Sequence, residues 1–128
     1  MKKVFLGGTC NESTWRDELI PQLKIDYFNP VVDDWTPECM KEEIKQRGKC
    51  DYCLYVITSD MTGVFSIAEV IDDSNKRPSK TVFAFKEDGF NKGQIRSLES
   101  VGSMVARNEG SWMDFKHVAP FLNGEDFT

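Results

Sequence analysis

Six apolar residues in a row, Tyr52-Cys53-Leu54-Tyr55-Val56-Ile57, constrain this chain more than any other stretch. A strand with one wet face alternates apolar and polar side chains. This run does not alternate, so it reads as a strand covered on both faces in the middle of a parallel sheet. It empties into a polar turn, Thr58-Ser59-Asp60-Met61-Thr62-Gly63, and then into a helix that carries Glu69. Open α/β sheets bind their ligands outside the carboxyl ends of the strands, which is where such a turn lies. Glu69 follows within about two helical turns of that crevice.

The remaining elements alternate in the same way. Lys3 to Leu6 reads as a first strand running into Gly7-Gly8-Thr9-Cys10-Asn11-Glu12-Ser13, with a helix from Ser13 or Thr14. Adjacent glycines there serve either a tight strand-to-helix turn or a backbone that approaches a ligand, with an anion favoured at the helix start. The stretch is neither a GxGxxG fingerprint nor a P-loop, which would need Lys-Ser or Lys-Thr at its end. Trp15, Leu19, Ile20 and Leu23 share helical spacing, and Pro21 ends or kinks that helix near Ile20. Ile25 to Asn29 reads as a second strand. In the loop beyond it, Asn29, Asp33, Asp34 and Trp35 offer an aromatic and two carboxylates to a flat heterocycle; the alternative is a packed tryptophan beside solvated acids. Glu38 to Arg47 reads as a polar helix stopped by Gly48. Thr81 to Phe85 is a fourth strand, and Lys92 to Arg107 a helix with Ile95, Leu98, Val101, Met104 and Val105 on one face, ended by Asn108-Glu109-Gly110. Trp112 to Phe115 is expected as a short fifth strand and His117 to Leu122 as a last helix.

Strands alternating with helices through short turns predict a three-layer α/β/α fold with a five-stranded parallel sheet in the flavodoxin-like order 2-1-3-4-5, as a single domain over residues 1–128. That order makes strands one and three neighbours. The crevice between their ends is then expected to gather Gly7, Gly8 and Thr9 with Asp60, Thr62, Gly63 and Glu69.

Composition removes several classes of partner. A net charge of -5 and a pI near 4.9 leave no basic footprint for duplex nucleic acid. No apolar run approaches the ~20 residues of a membrane helix, so no membrane partner is expected. The start, Met1 to Gly7, has too short an apolar core for a signal peptide, which favours a cytoplasmic chain with reduced cysteines. Cys50-x-x-Cys53 resembles half of a zinc site, yet His117 is the sole histidine, and Cys10 and Cys39 form no second spaced pair. A redox pair belongs at a helix start, whereas Cys53 falls inside a strand. Both read as structural thiols, with no metal and no cofactor expected.

Ser66-Ile67-Ala68-Glu69 has the spacing of a capping box, in which serine and glutamate satisfy the first free N–H groups of a helix. The wider pattern, Asp60-x-Thr62-Gly63-x-x-Ser66 leading to Glu69, exceeds what a cap requires. With Gly7-Gly8-Thr9 after the first strand and Asn29-Pro30 and Asp33-Asp34-Trp35 after the second, it resembles the nucleoside 2-deoxyribosyltransferases and the related 2'-deoxynucleoside 5'-phosphate N-glycosidases, over roughly residues 3 to 85. The resemblance implies cleavage or transfer at the N-glycosidic bond of a nucleoside or nucleotide. Glu69 would be the nucleophile, forming a glycosyl-enzyme ester, and Asp60 would hold sugar or base. Ser66 would meet a sugar hydroxyl or phosphate, Gly7 and Gly8 the pocket wall, and Asp33 and Trp35 the base. It also implies a homo-oligomer whose site a neighbouring copy completes, for which Ser100, Ser103 and Asn108 are the nearest candidates here. Where the family often carries a tyrosine that orients the glutamate, this chain has Gly7-Gly8. A module on the same fold that binds a nucleotide or nucleotide signal without cleaving it is the competing expectation; flavin is a third, resting on fold analogy alone.

Overall fold

The computed structural model describes residues 1–10 and 13–125, so Asn11 and Glu12 of the first turn lie outside the described residues. In chain order the elements are β1 (Lys3–Gly8), α1 (Trp15–Leu19) with a 3-10 turn at Ile20–Gln22, β2 (Asp26–Phe28), α2 (Pro37–Lys49), β3 (Tyr52–Ile57), α3 (Phe65–Lys76), β4 (Thr81–Phe85), α4 (Lys92–Arg107), β5 (Ser111–Trp112) and α5 (Val118–Leu122). All strand pairs are parallel and the order is β2-β1-β3-β4-β5. The fold is the three-layer α/β/α, flavodoxin-like arrangement anticipated from the strand and helix pattern.

Side chains alternate across the two covered faces of the sheet, as the pleat requires. Val4, Leu6, Leu54, Val56, Val82 and Ala84 meet Trp15, Leu19, Val118 and Leu122 on one face. Phe5, Cys53, Tyr55, Ile57 and Phe83 meet Val70, Leu98 and Val105 on the other. β3 is buried from Cys53 to Ile57, which accounts for its unbroken apolar run. Cys50 and Cys53 are both buried free thiols, and burial pushes Cys53 up to about 12, so it behaves as a core side chain.

Several boundaries differ from expectation for local reasons. α2 runs through Gly48 to Lys49, because Cys50 turns extended and its N–H still reaches the Gln46 carbonyl. Gly48 meets nothing nearby and is a solvent-facing helical residue rather than a stop. β2 keeps three residues and β5 two, both being sheet edges with a single neighbour. Phe115–His117 is a 3-10 turn, so the last helix starts at Val118 and not at His117. The capping box at Ser66 and Glu69 is absent. Val64 is the N-cap of α3, no side chain caps the helix, and Ser66 is already its second residue.

The carboxyl ends of β1 and β3 are tied by main chain. The Thr9 N–H donates to the Val56 carbonyl at 2.9 Å, and the Thr58 N–H donates to Thr9 Oγ1 at 2.9 Å. Gly8 has φ 112°, and a Cβ there would run into the Val56 main chain; at Gly7 it would lie 2.6 Å from the Tyr55 ring. Neither position accepts a side chain without moving β3.

Candidate active site at the carboxyl ends of β1 and β3

Two recesses adjoin where α3 leaves β3. The first, of about 270 Å³, has Gly8, Thr9 and Cys10 on one side and Met61, Thr62, Gly63 and Ser66 on the other. Buried Arg16 makes this floor rigid from behind, donating from Nε and Nη2 to the Leu6 carbonyl (3.1 and 2.8 Å) and from Nη1 to the Thr9 carbonyl (2.7 Å). Trp15 Nε1 adds a bond to the same Thr9 oxygen at 2.9 Å. The second recess, of about 240 Å³, is formed by Arg47, Ala68, Glu69 and Asp72. Phe65 lines both, so its exposed ring stands between the cavity and the carboxylate.

Glu69 is the fifth residue of α3 and its side chain is 15% exposed. Glu69 and Asp73 stand four residues apart on one helix face, which packs toward β3 through buried Val70. Two carboxylates so placed need a cation, and Arg47 of α2 supplies it. Its Nη1 lies 3.6 Å from Glu69 Oε2, while Nε and Nη2 donate to Asp73 at 3.2 and 2.8 Å and Nη2 also donates to Asp72 at 3.0 Å. Asp73 has no exposed side chain; it accepts from the Tyr55 hydroxyl at 2.5 Å and pairs with Arg77 as well. Burial pushes the Glu69 carboxyl up to about 7; Arg47 pulls it back, and the negative charges of Glu43, Asp73 and Asp72 add to the rise. Arg47 itself is held above its ordinary value, burial being outweighed by its bond to Asp73 and by the anionic groups around it. It is therefore always charged.

The residues expected at the site are only partly brought together. Gly8, Thr9, Thr62, Gly63 and Ser66 share the first recess. Gly7 lies beneath the Tyr55 ring. Glu69 is next door, beyond Phe65. Asp60 is exposed in a separate, smaller recess of about 150 Å³ with Ser13, Thr58 and Lys86. Asn29 accepts from the Val31 N–H at 3.1 Å, and Asp33, Asp34 and Trp35 are exposed on the same β2–α2 segment; none of the four lines these recesses. Asn108 donates to Ser74 Oγ at 3.0 Å, and Ser100 to the Arg96 carbonyl at 3.0 Å.

Arg47, Phe65 and Tyr55 escaped the sequence reading as members of the site. Glu69 and Asp73 at helical spacing beside a buried strand were the available signal for Arg47, since charges there require a partner. Among the described residues, no three His, Cys, Asp or Glu side chains gather as metal ligands, and no helix is long and apolar enough to cross a membrane.

A comparison with curated proteins finds no match. A family model described as nucleoside 2-deoxyribosyltransferase like matches residues 1–89, which take in β1 to β4 and every residue of the two recesses. Gly7 and Gly8 stand at the end of β1, where members of the family often carry a tyrosine, and the nearby Tyr55 hydroxyl of β3 donates to Asp73. With that match spanning well over half of its length, the chain belongs to the nucleoside 2-deoxyribosyltransferase-like family.

Proposed function

We propose that the protein cleaves or transfers at the N-glycosidic bond of a nucleoside or nucleotide, with Glu69 as nucleophile. The observation that carries this reading is a largely buried carboxylate, beside a cavity of sugar size, whose acid strength sits near neutrality. Such a group is ionised often enough to attack and is poorly solvated when it does. Its carboxylate oxygen bonds to the anomeric carbon as the C–N bond breaks, and the base leaves with the electron pair and takes up a proton. Water or a second base then breaks the ester. Gly8, Thr9, Thr62, Gly63 and Ser66 hold the sugar or its phosphate in the cavity. Asp60 meets the substrate from its own recess on the same turn, and Phe65 yields to let the anomeric carbon reach Glu69.

Base release from deoxynucleosides and their 5'-monophosphates tests the reading. The attacking form is the anion, so turnover is expected to rise with pH through about 7 and, below that midpoint, to fall about tenfold per pH unit. Tight nucleotide binding with no base release at any pH would favour the non-catalytic module instead.

The reading includes a second copy of the chain with α4 at or near the contact. Its support is an apolar groove of about 430 Å³ between α3 and α4, walled by Met61, Ile67, Phe90, Leu98 and Val101 and joined to the cavity through Met61. Light scattering is expected to give a dimer or larger assembly; a monomer with full activity counts against it.

A further inference from the structure

We propose that Arg47 is a positioning residue for Glu69, a fixed cation that supports its charge through both halves of the reaction; this rests on the reading of Glu69 as nucleophile. The geometry assigns the role. Arg47 is anchored from behind by Asp73, with two separate bonds, and from the side by Asp72. The remaining nitrogen, Nη1, faces Glu69 at 3.6 Å, too long for a hydrogen bond but close for a charge. Asp73 cannot follow a moving arginine, because the Tyr55 hydroxyl and Arg77 hold it and it is wholly buried.

This arrangement suits a carboxylate whose charge comes and goes. While Glu69 is an ester, Arg47 keeps Asp73 and Asp72 as partners and no buried cation is orphaned. When the ester breaks, the returning anion meets a cation already in place, with no reorganisation. A direct two-point bond from Arg47 to Glu69 would instead tie down the attacking oxygens. The charged and titratable groups around Glu69 are Arg47 and Glu43 from α2, Tyr55 from β3, and Asp72 and Asp73 from α3. Arg47 is the one cation among them.

The test is the titration of the Glu69 carboxyl carbon by NMR, assigned by its loss in Glu69→Gln, in wild type, Arg47→Gln and Arg47→Lys. Arg47→Gln is expected to raise the midpoint by about one pH unit or more. It should lower kcat at pH 7 about fivefold with KM little changed, and activity should recover toward pH 9, which a merely structural role would not produce. Lysine has one nitrogen, which Asp73 claims, so Arg47→Lys should move the midpoint in the same direction by a smaller step. It decides the matter if the glutamine variant does not fold. An unmoved midpoint in the folded variants overturns the proposal. Base release that survives Glu69→Gln overturns the nucleophile reading instead, and the two failures are distinct because the carboxyl titration needs no turnover.

Discussion

Replacing Glu69 by glutamine is expected to lower base release on the order of 10⁴-fold while substrate still binds, as measured by single-turnover assay and calorimetry. An amide of the same shape neither stabilises an oxocarbenium-like centre nor forms a glycosyl ester. The helix does not suffer, since Glu69 caps nothing in α3. Stability is expected to shift in the opposite sense from activity. The Glu69 carboxyl titrates near 7 when folded and near its ordinary value of 4.5 when unfolded, so folding takes up a proton between those values. The wild type therefore loses stability from this group as pH rises through 7, and it has the full contribution only below about 4.5. Glutamine removes that dependence. Melting temperatures at pH 5 and pH 8 should lie closer together in the variant than in the wild type, with the gain at pH 8.

Asp73→Ala is expected to be the most damaging single change to the fold, costing about 3–5 kcal/mol in a urea or thermal titration. The carboxylate is completely buried and satisfies Arg47, Arg77 and the Tyr55 hydroxyl at once. Its removal leaves two guanidinium groups and a phenol facing each other in a covered space. Removing the Tyr55 hydroxyl alone, as Tyr55→Phe, leaves both ion pairs standing and should cost about 1 kcal/mol. The contrast separates loss of charge pairing from loss of one hydrogen bond.

The architecture was legible because it follows from patterns that local chemistry sets. The unbroken apolar run from Tyr52 to Ile57 requires cover on both faces, and Lys92 to Arg107 keeps its face through Leu98 and Val105. Element ends were less so. Gly48 stops a helix only where it turns left-handed itself, and here it stays helical while Cys50 turns extended. Ser66 and Glu69 have the spacing of a capping box, but spacing does not say where a helix begins, and α3 begins at Phe65. Thr62 and Gly63, on the turn after β3, line one recess with Gly8 and Thr9, and the sequence grouped them because adjacent parallel strands bring those ends together. Arg47 was not among them, because it arrives from a largely polar helix whose buried edge becomes visible only beside Asp73. The exposed β2–α2 segment carrying Asp33 and Trp35 lacks the ties that would make its position a matter of sequence pattern.

The cavity has a floor and a rim of different kinds. Its floor is the end of β1: Gly8 admits no Cβ, Thr9 is tied to β3 and α1, and Arg16 bonds the Leu6 and Thr9 carbonyls from below. Its rim is side chain, from Met61, Thr62, Phe65 and Ser66. Inheritance can act on these halves only separately. A side chain at Gly8 displaces the central strand of the molecule, so new substrate preferences within this lineage must be written on the rim, where the exposed Phe65 can change size without touching the sheet.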